Sequence, residues 1–162
     1  MNDILQAAGL PGRVRMLDEA VTTARAAAQH LGCPVGAIAN SLIFETFRAA
    51  SVGLREQFKE SDIGAPLLIM TSGAHRVDMA KVGEQQGISL RRASPAFVRE
   101  HTGQPIGGVA PIGHPRPIRT IVDCALAEFD ELWAAGGIPH AVFPLTYTEL
   151  LALTGGVEAD VS

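Results

Sequence analysis

Glycine and proline interrupt this chain so often that only short helices and strands can form between them. The sequence holds 17 Gly and 10 Pro. Proline lacks a backbone N–H and glycine has unusual conformational freedom, so both tend to end regular structure. They are densest from Gln104 to Pro117, a stretch that cannot be helical. With 47% hydrophobic and 19% charged residues, the chain can still build a core, which excludes disorder as its main state.

Periodicity and end signals between these breaks predict alternating short elements. Helix-capping residues are placed at Asp18, Asp78 and Ser94, and Thr146 with Glu149 forms a capping box. We expect helices over 18–31, 78–86, 94–102, 129–135 and 146–154, and strands over 37–44, 67–70, 88–92, 118–122 and 140–143, with 157–161 as a last strand or a tail.

The order of these elements predicts the fold class. Helices and strands are interspersed without regular βαβ spacing, and several strand-to-strand steps are short, which favours antiparallel pairing. We therefore expect an α+β fold with a mixed sheet partly curled around itself. A length of 162 residues fits one domain, 1–162. Residues 45–65 show no clean period and are expected to be an insertion or an excursion from the core fold.

The cysteines and the apolar runs limit which cellular compartment and which kind of site we expect. Cys33 and Cys124 share no CxxC-type spacing, so a disulfide framework or a thiolate zinc site is not expected and both are predicted to be structural thiols. No apolar run approaches the ~18 residues of a membrane span, and the first residues lack the features of a signal peptide. We expect a reduced, cytoplasmic protein without a membrane partner, and Trp133 and Phe143 in its core.

The segment from Thr102 to Pro115 carries the clearest functional signal. Its four glycines are interspersed with Ile106, Val109 and Ile112, which can anchor the loop in a core. Glycine lets backbone N–H groups approach a ligand, so such a loop can present amides to a carbonyl or a phosphate. It matches neither a P-loop nor a dinucleotide-binding fingerprint. A purely structural turn is the alternative that composition alone leaves open.

The order of several motifs resembles a known family. The chain reads AIANSLIF, then LLIMTSGAHRVD with Lys81, then ASP, HTGQPIGGVAPIGHP and HAVFPLTYTELLALTGG. This pattern is similar to the YbaK/ProX family, also called the prolyl-tRNA synthetase-associated editing domains. The resemblance covers most of residues 18–161, and the GGVxPxGHP loop together with the SGxxRVD segment is what makes it specific.

The resemblance implies a fold and an activity. Members have a mixed, largely antiparallel sheet curled into a pseudo-barrel with flanking helices. They hydrolyse in trans the ester of a mischarged aminoacyl-tRNA, of an alanine, cysteine or serine type, on tRNA-Pro or another tRNA. The expected partners are the acceptor end of the tRNA and, as a further candidate, an aminoacyl-tRNA synthetase. No cofactor or metal is expected.

The resemblance also assigns site residues. The family's GxxxP loop falls on Gly107 to Pro111, where backbone amides hold the substrate carbonyl. A family lysine is replaced here by Asn40, which can donate hydrogen bonds but carries no charge. Three sets follow: catalytic Gly107, Gly108, Val109 and Asn40; substrate-binding Ser41, Ser72, Gly73, Pro111, Gly113, His114 and His140; and tRNA-contacting Arg92, Arg116 and Arg119.

Alternatives accompany this assignment. His114 is equally well explained as a cap of the loop, and His140 as a strand histidine with its hydrogen bonds satisfied. Because the lysine is absent, the fold is also compatible with a catalytically weakened module that binds tRNA or aminoacyl groups. A small-molecule esterase using the same loop is a third reading. The sequence does not identify the amino acid, the tRNA or the oligomeric state.

The charge distribution favours a small nucleic-acid footprint. The whole chain has a net charge of -4, which argues against extensive coating of nucleic acid. Residues 91–120 hold five arginines and one glutamate, so this stretch is +4 and the rest of the chain is -8. An acidic body with one basic rim suits contact with only the acceptor end of a tRNA. An ordinary solvated basic face is the alternative.

Overall fold

The structure of the protein is a computed structural model, and it describes residues 1–48 and 64–162. Its helices are α1 (Asn2–Ala7), α2 (Ala24–Leu31), α3 (Met79–Gln86), α4 (Pro95–Thr102) and α5 (Tyr147–Thr154). Its strands are β1 (Arg15–Met16), β2 (Ile38–Arg48), β3 (Pro66–Ser72), β4 (Ile88–Arg92), β5 (Arg119–Asp123), β6 (Leu132–Ala135), β7 (Ala141–Leu145) and β8 (Val157–Ala159). Two 3₁₀ turns, Val35–Ala37 and Cys124–Glu128, precede β2 and follow β5.

One mixed sheet contains all the described strands. Its order is β1-β7-β6-β2-β3-β5-β8, and β4 pairs with the far half of β2. Four pairings are antiparallel (β1–β7, β6–β7, β2–β3, β2–β4) and three are parallel (β2–β6, β3–β5, β5–β8). The predicted α+β class with a mixed, mainly antiparallel sheet is confirmed. The sheet is not closed, because β1 and β8 stand at opposite ends of the strand order.

Three of the predicted helix caps are confirmed, and each lies directly before its helix. Asp78 accepts hydrogen bonds from the N–H groups of Ala80 and Lys81, and Ser94 accepts one from Phe97. Thr146 and Glu149 form both bonds of the capping box. Side-chain caps satisfy N–H groups that a helix start leaves open, which typically stabilises by about 1 kcal/mol.

The predicted helix over 129–135 is wrong. Its second half is strand β6, held between β2 and β7, with Leu132 and Trp133 buried. A short apolar run does not distinguish helix from strand, and here two neighbouring strands supply the hydrogen bonds. The helix predicted over 18–31 begins only at Ala24, capped by Thr23 and not by Asp18.

The late start of α2 has a visible cause. The N–H of Leu17 donates to the carbonyl of His140 at 2.7 Å, and the N–H of Val21 donates to the carbonyl of Pro139 at 3.0 Å. These bonds tie 17–21 to the residues just before β7, so the helix forms only after them. Elements α1 and β1 precede this segment and were not predicted.

The sheet separates two sides of the core. Ala39, Leu68, Met70 and Val122 pack on one side with Phe143. The other side is covered by α2 over Ile38 and Trp133 and, farther along, by α3 over Phe44, Ile69 and Ile121. Trp133 and Phe143 are buried, as expected. In the described ranges, no helix has the length and apolarity to cross a membrane.

The range 45–65, expected to be an insertion or an excursion, begins within the sheet. Strand β2 continues to Arg48, so the first residues of that range belong to the sheet, where Glu45 pairs with Arg91 of β4. Residues 49–63 lie outside the described part of the chain. Strand β3 begins at Pro66.

Candidate active site

A cavity of about 300 Å³ opens beside β2. Its walls come from the start of α2, from β2, β6 and β7, and from the glycine-rich segment 104–113, which we call the glycine loop. The lining residues are Val21, Thr22, Thr23, Ala24, Ala27, Leu31, Ile38, Ala39, Asn40, Ser41, Leu42, Ile106, Gly107, Val109, Trp133, Ala134, Ala135, Pro139, Ala141 and Val142. Two elements distant in sequence, Asn40–Ser41 and Gly107–Val109, therefore meet at one cavity.

The chemistry of the lining is unusual for a catalytic pocket. Among the described residues that line it there is no Asp, Glu, His, Cys, Lys or Arg. Its polar side-chain groups are the hydroxyls of Thr22, Thr23 and Ser41, the amide of Asn40 and the indole N–H of Trp133. Such a site has no strong acid or base of its own. It can orient a substrate and stabilise charge through backbone dipoles.

The glycine loop is braced from within by Gln104, a residue the sequence reasoning did not single out. Its side-chain oxygen accepts the N–H of Ala110 at 2.7 Å, and its side-chain nitrogen donates to the carbonyl of Ile112 at 3.4 Å. Its own N–H donates to the hydroxyl of Thr102 at the end of α4. A buried amide spanning the base of the loop fixes the backbone between them.

His114 holds the same loop from its far side. Its Nε2 lies 2.9 Å from the carbonyl of Ala110, so this nitrogen carries the proton and donates. Burial lowers the pKa of the imidazole below its usual value, and the hydrogen bond to Ala110 only partly opposes this. His114 does not line the cavity, and it performs the loop-capping role that was one of its two alternatives.

The lowered pKa of His114 predicts a pH dependence of stability. The unfolded chain, with an ordinary His pKa of about 6.5, binds this proton more readily than the folded chain. The contribution of His114 to the free energy of unfolding is therefore complete above that pKa and is lost as the pH falls through and below it. We expect urea denaturation between pH 7.5 and 5.5 to show this loss, and His114→Gln to have a shallower pH slope.

His30→Gln is the matched control for that measurement, because His30 is exposed. It should keep the wild-type slope. Identical slopes for wild type and His114→Gln would show that His114 is not the titrating group.

The three amides assigned to the substrate carbonyl differ in availability. The N–H of Gly108 donates to the carbonyl of Pro105 at 3.0 Å, closing a tight turn, so this donor is occupied. That part of the prediction is corrected. The N–H groups of Gly107 and Val109 have no acceptor within the described residues, and both residues line the cavity. Of the three assigned amides, these two remain available for a ligand.

Gly108 has a steric role instead. A Cβ at this position would lie 2.6 Å from the carbonyl carbon of Ile138 and 2.8 Å from the nitrogen of Pro139. Backbone atoms cannot move aside as a flexible side chain does, so only glycine lets the loop approach this segment. Gly107 adopts φ +86° beside Thr22, a conformation that also favours glycine.

Ser72 and Gly73, predicted to bind substrate, do not line the cavity. The Ser72 side chain is buried and donates to the carbonyl of Gly36 at 2.9 Å. The N–H of Gly73 donates to Ile38, and a Cβ there would lie 2.4 Å from the carbonyl oxygen of Val35. Both residues are used to pack the 3₁₀ turn before β2 against the end of β3.

Three other predicted binding residues also lie outside the lining. Pro111 is buried within the glycine loop. Gly113 has φ +86° and sits against Ile4 of α1. His140 is exposed, and its Nδ1 lies 3.4 Å from the carbonyl of Leu17. Each shapes or borders the walls of the site without facing it.

The arginines predicted to contact tRNA are not equivalent. Arg92 is exposed at the end of β4 that pairs with Phe44, two residues from the cavity-lining Leu42. Arg116 is exposed just after the glycine loop. Arg119 is only half-exposed. It lies on β5, where it pairs with Leu67 of β3, and β5 is two strands away from β2. The neighbouring Arg91 is bound to Glu45 at 2.7 Å.

A polar cluster missed by the sequence reasoning lies beside the site. Asp123, 1% exposed, ends β5. Its Oδ2 accepts the N–H of Ser72 at 3.0 Å, the hydroxyl of Thr71 at 3.3 Å and Nδ1 of His75 at 2.9 Å. Its Oδ1 accepts the N–H of Ala125. His75 is thus half-buried against this carboxylate. Since Thr71 pairs directly with Asn40, the cluster fixes the strand next to Asn40.

Further lining residues that the sequence reasoning missed come from two places in the chain. Val21, Thr22 and Thr23 precede α2, and Trp133 forms part of β6. The pair of threonines before an Ala-rich helix is a local signal for a helix start. No local sequence signal places Thr22 beside Gly107, because that contact depends on the bonds from 17–21 to Pro139 and His140.

Known proteins resemble this chain in sequence and in fold. The family model described as "Aminoacyl-tRNA editing domain" matches residues 18–153 of this chain. A crystal structure described as a "putative trans-editing enzyme for prolyl tRNA synthetase" has 38% identity and a TM-score of 0.83, covering 99% of this chain and 93% of its own. The hypothetical protein APE2540 has 28% identity and a TM-score of 0.81, covering 98% and 96%.

A curated sequence relative is the uncharacterized protein YwhH of Bacillus subtilis (strain 168). It is 30% identical over 128 residues, which are 79% of this chain and 72% of YwhH. The family model spans the cavity walls from 18–23 to β7 and includes the whole glycine loop. The chain therefore belongs to the aminoacyl-tRNA editing domain family.

Proposed function

We propose that this protein is an aminoacyl-tRNA deacylase that acts in trans on a mischarged tRNA. The observation that carries the proposal is the pairing of two free loop N–H groups, at Gly107 and Val109, with a small cavity that lacks ionisable side chains in its described lining. An aminoacyl ester suits such a site, because it is already activated and is flanked by a ribose hydroxyl. The family to which the chain belongs supports the same reaction class.

In the proposed reaction, the N–H groups of Gly107 and Val109 donate to the ester carbonyl oxygen. Water, oriented by the vicinal ribose hydroxyl, attacks the carbonyl carbon, and the negative charge that develops on the oxygen is stabilised by these fixed dipoles. The carbon–oxygen bond to the ribose then breaks. The products are the free amino acid and the tRNA with its terminal hydroxyl restored.

The proposed substrates are alanyl, cysteinyl or seryl esters on tRNA-Pro or another tRNA. The apolar walls formed by Ala24, Ala27, Ile38 and Val142 fit small side chains without charge. An aspartyl or lysyl group would lose its hydration without gaining a charged partner from the described lining. The exposed arginines Arg92 and Arg116 suit contact with the acceptor-end phosphates, and a synthetase that supplies the tRNA is a further candidate partner.

A panel of mischarged tRNAs tests this proposal. We expect purified protein to release alanine, cysteine or serine from at least one mischarged tRNA at least tenfold faster than spontaneous hydrolysis, followed by acid-precipitable radiolabel. Correctly charged Pro-tRNA-Pro serves as the control and should be stable. Release at the spontaneous rate for every member of the panel would reject the deacylase function.

A second candidate is a binding module that has the fold without the catalysis. Asn40 favours it, because a neutral amide stands where the family resemblance implies a lysine, and Asn40 lines the cavity. Under this alternative, wild type is inactive on the panel and Asn40→Lys creates activity. Deacylation by the wild-type protein rejects the alternative.

A further inference from the structure

Strand β2 has a gap in its pairing where it borders the cavity. Along one edge it pairs with β3 from Ala39 to Glu45. Along the other edge, β6 pairs only with Ile38 and Ala39, and β4 pairs only from Phe44 onward. Residues 40–43 thus have no strand partner on that edge within the described chain, and three of them line the cavity.

Two backbone bonds determine which groups face the gap. In an extended chain, the N–H and C=O of one residue point to the same edge, and successive residues alternate between edges. The carbonyl of Ile38 accepts Gly73 on the β3 side, so Asn40 and Leu42 also face β3. The carbonyl of Ile43 accepts the N–H of Ala93, on the β4 side. Counting back two residues, the N–H and C=O of Ser41 face the gap.

The Ser41 main chain is therefore an open donor and acceptor in the cavity wall. An unpaired strand edge is a template for another extended segment, which binds by completing the ladder. The space here is limited to about 300 Å³, and α2 and the glycine loop flank it. A ligand that pairs with Ser41 must be short, with a donor and an acceptor spaced as in one amino-acid residue.

The lining also restricts what can hold a positive charge. An aminoacyl ester carries an α-ammonium group, which needs acceptors once it leaves water. No carboxylate is present in the described lining. A backbone carbonyl facing the gap supplies a charge-assisted acceptor of the kind that ammonium groups use.

We propose that Ser41 binds the aminoacyl group as a one-residue β-pair. The Ser41 carbonyl accepts a hydrogen bond from the substrate α-ammonium, as in an antiparallel ladder of two opposed residues. The Ser41 N–H donates to the acyl carbonyl oxygen as a third donor, in addition to the N–H groups of Gly107 and Val109. This assignment rests on the proposed function for the identity of the ligand. It makes the free α-amino group a requirement for tight binding, independent of the amino-acid side chain.

The test uses two stable analogues and ¹⁵N NMR. One is alanine joined by an amide to 3′-amino-3′-deoxyadenosine, and the other is its propionyl counterpart, which lacks only the amino group. We expect the alanyl analogue to bind wild type about tenfold more tightly, since hydrogen bonds to charged groups are the stronger ones. We also expect the amide signal of Ser41 to shift on binding, whereas that of Leu42, already bonded to β3, moves less.

Ser41→Pro supplies the protein-side test. Proline removes the N–H that faces the gap and leaves the β2–β3 ladder intact, because proline is tolerated where the N–H has no strand partner. The reference is Ser41→Ala, which loses the same hydroxyl and its contact with Met70 but keeps the N–H. We expect Ser41→Pro to bind both analogues about fivefold more weakly than Ser41→Ala does.

The outcomes separate this inference from the proposed function. If wild type fails on the mischarged-tRNA panel but shows the Ser41 shift and the alanyl preference, the binding site stands and the deacylase function falls. If wild type deacylates and the Ser41 amide does not respond, the inference alone is overturned. Equal binding of the two analogues, equal binding by the two variants, or no binding of either analogue also overturns it.

Discussion

Replacing Gly108 with alanine is expected to reduce kcat/KM for deacylation about 100-fold while the protein stays folded. The new Cβ would lie 2.6–2.8 Å from backbone atoms of Ile138 and Pro139. Because that segment is bonded to 17–21, the glycine loop must move instead. The N–H groups of Gly107 and Val109 would then lose their alignment with the ester oxygen. The measurement is the initial rate of amino acid release from the best substrate of the tRNA panel.

The control for Gly108→Ala is Gly155→Ala. Gly155 ends α5 with φ +59° and open space around its Cα, far from the cavity lining. Alanine there costs about 1 kcal/mol of stability through backbone strain and should leave the deacylation rate unchanged. A Gly108→Ala protein that is folded and fully active would show that loop position does not control the reaction.

Replacing Asp123 with alanine is expected to lower the free energy of unfolding by about 3 kcal/mol or more. The change removes the acceptor of the N–H groups of Ser72 and Ala125 and one of the two acceptors of the Thr71 hydroxyl. Each buried donor left without a partner carries a desolvation cost of about 1–3 kcal/mol. Equilibrium urea unfolding measures the loss, which should come mainly from the midpoint and not from the slope.

Two further variants make the Asp123 result specific. Asp130→Ala changes an exposed aspartate shortly after β5 and should alter stability by less than about 0.5 kcal/mol. Asp123→Asn keeps the shape but turns an NH₂ group toward neighbours that are themselves donors, so a loss intermediate between wild type and alanine is expected. A loss below 1 kcal/mol for Asp123→Ala would contradict the central role of this carboxylate.

The elements that the sequence predicted correctly are those with local causes. Asp78, Ser94 and Thr146 each cap a helix that starts at the next residue, and glycines end those helices in left-handed conformations. The strands over 67–70 and 88–92 also appear, the second with unchanged bounds. The caps and the helix ends involve residues within a few positions of one another. The two strands have a local apolar pattern, although their hydrogen bonds come from β2 and β5, which are distant in the chain.

The failures have long-range causes. Leu132–Ala135 is a strand because β2 and β7 lie on its two sides, and both contacts involve chain segments that its own sequence does not specify. The start of α2 is delayed by bonds from Leu17 and Val21 to the segment before β7. Propensity is a weak guide where tertiary pairing supplies the hydrogen bonds.

The same division applies to the site. The family motifs included the segment around Asn40 and the segment around Gly107, and both line the cavity. They also included Ser72 and Gly73, whose polar groups are used within the fold, and Gly108, whose N–H closes a turn. A motif records which residues occur together, and it does not show whether each one faces a ligand or a neighbouring strand.

By itself, the sequence determined the family resemblance, the helix caps and the position of a glycine loop rigid enough to present amides, because residue type and short spacing set each of these. The tertiary structure decided which amides remain free, which strand edge stays open at Ser41 and which carboxylate fixes the strand beside Asn40. These depend on contacts between segments dozens of residues apart. Backbone groups are the same in every residue, so only the folded arrangement distinguishes those that are paired from those available to a substrate.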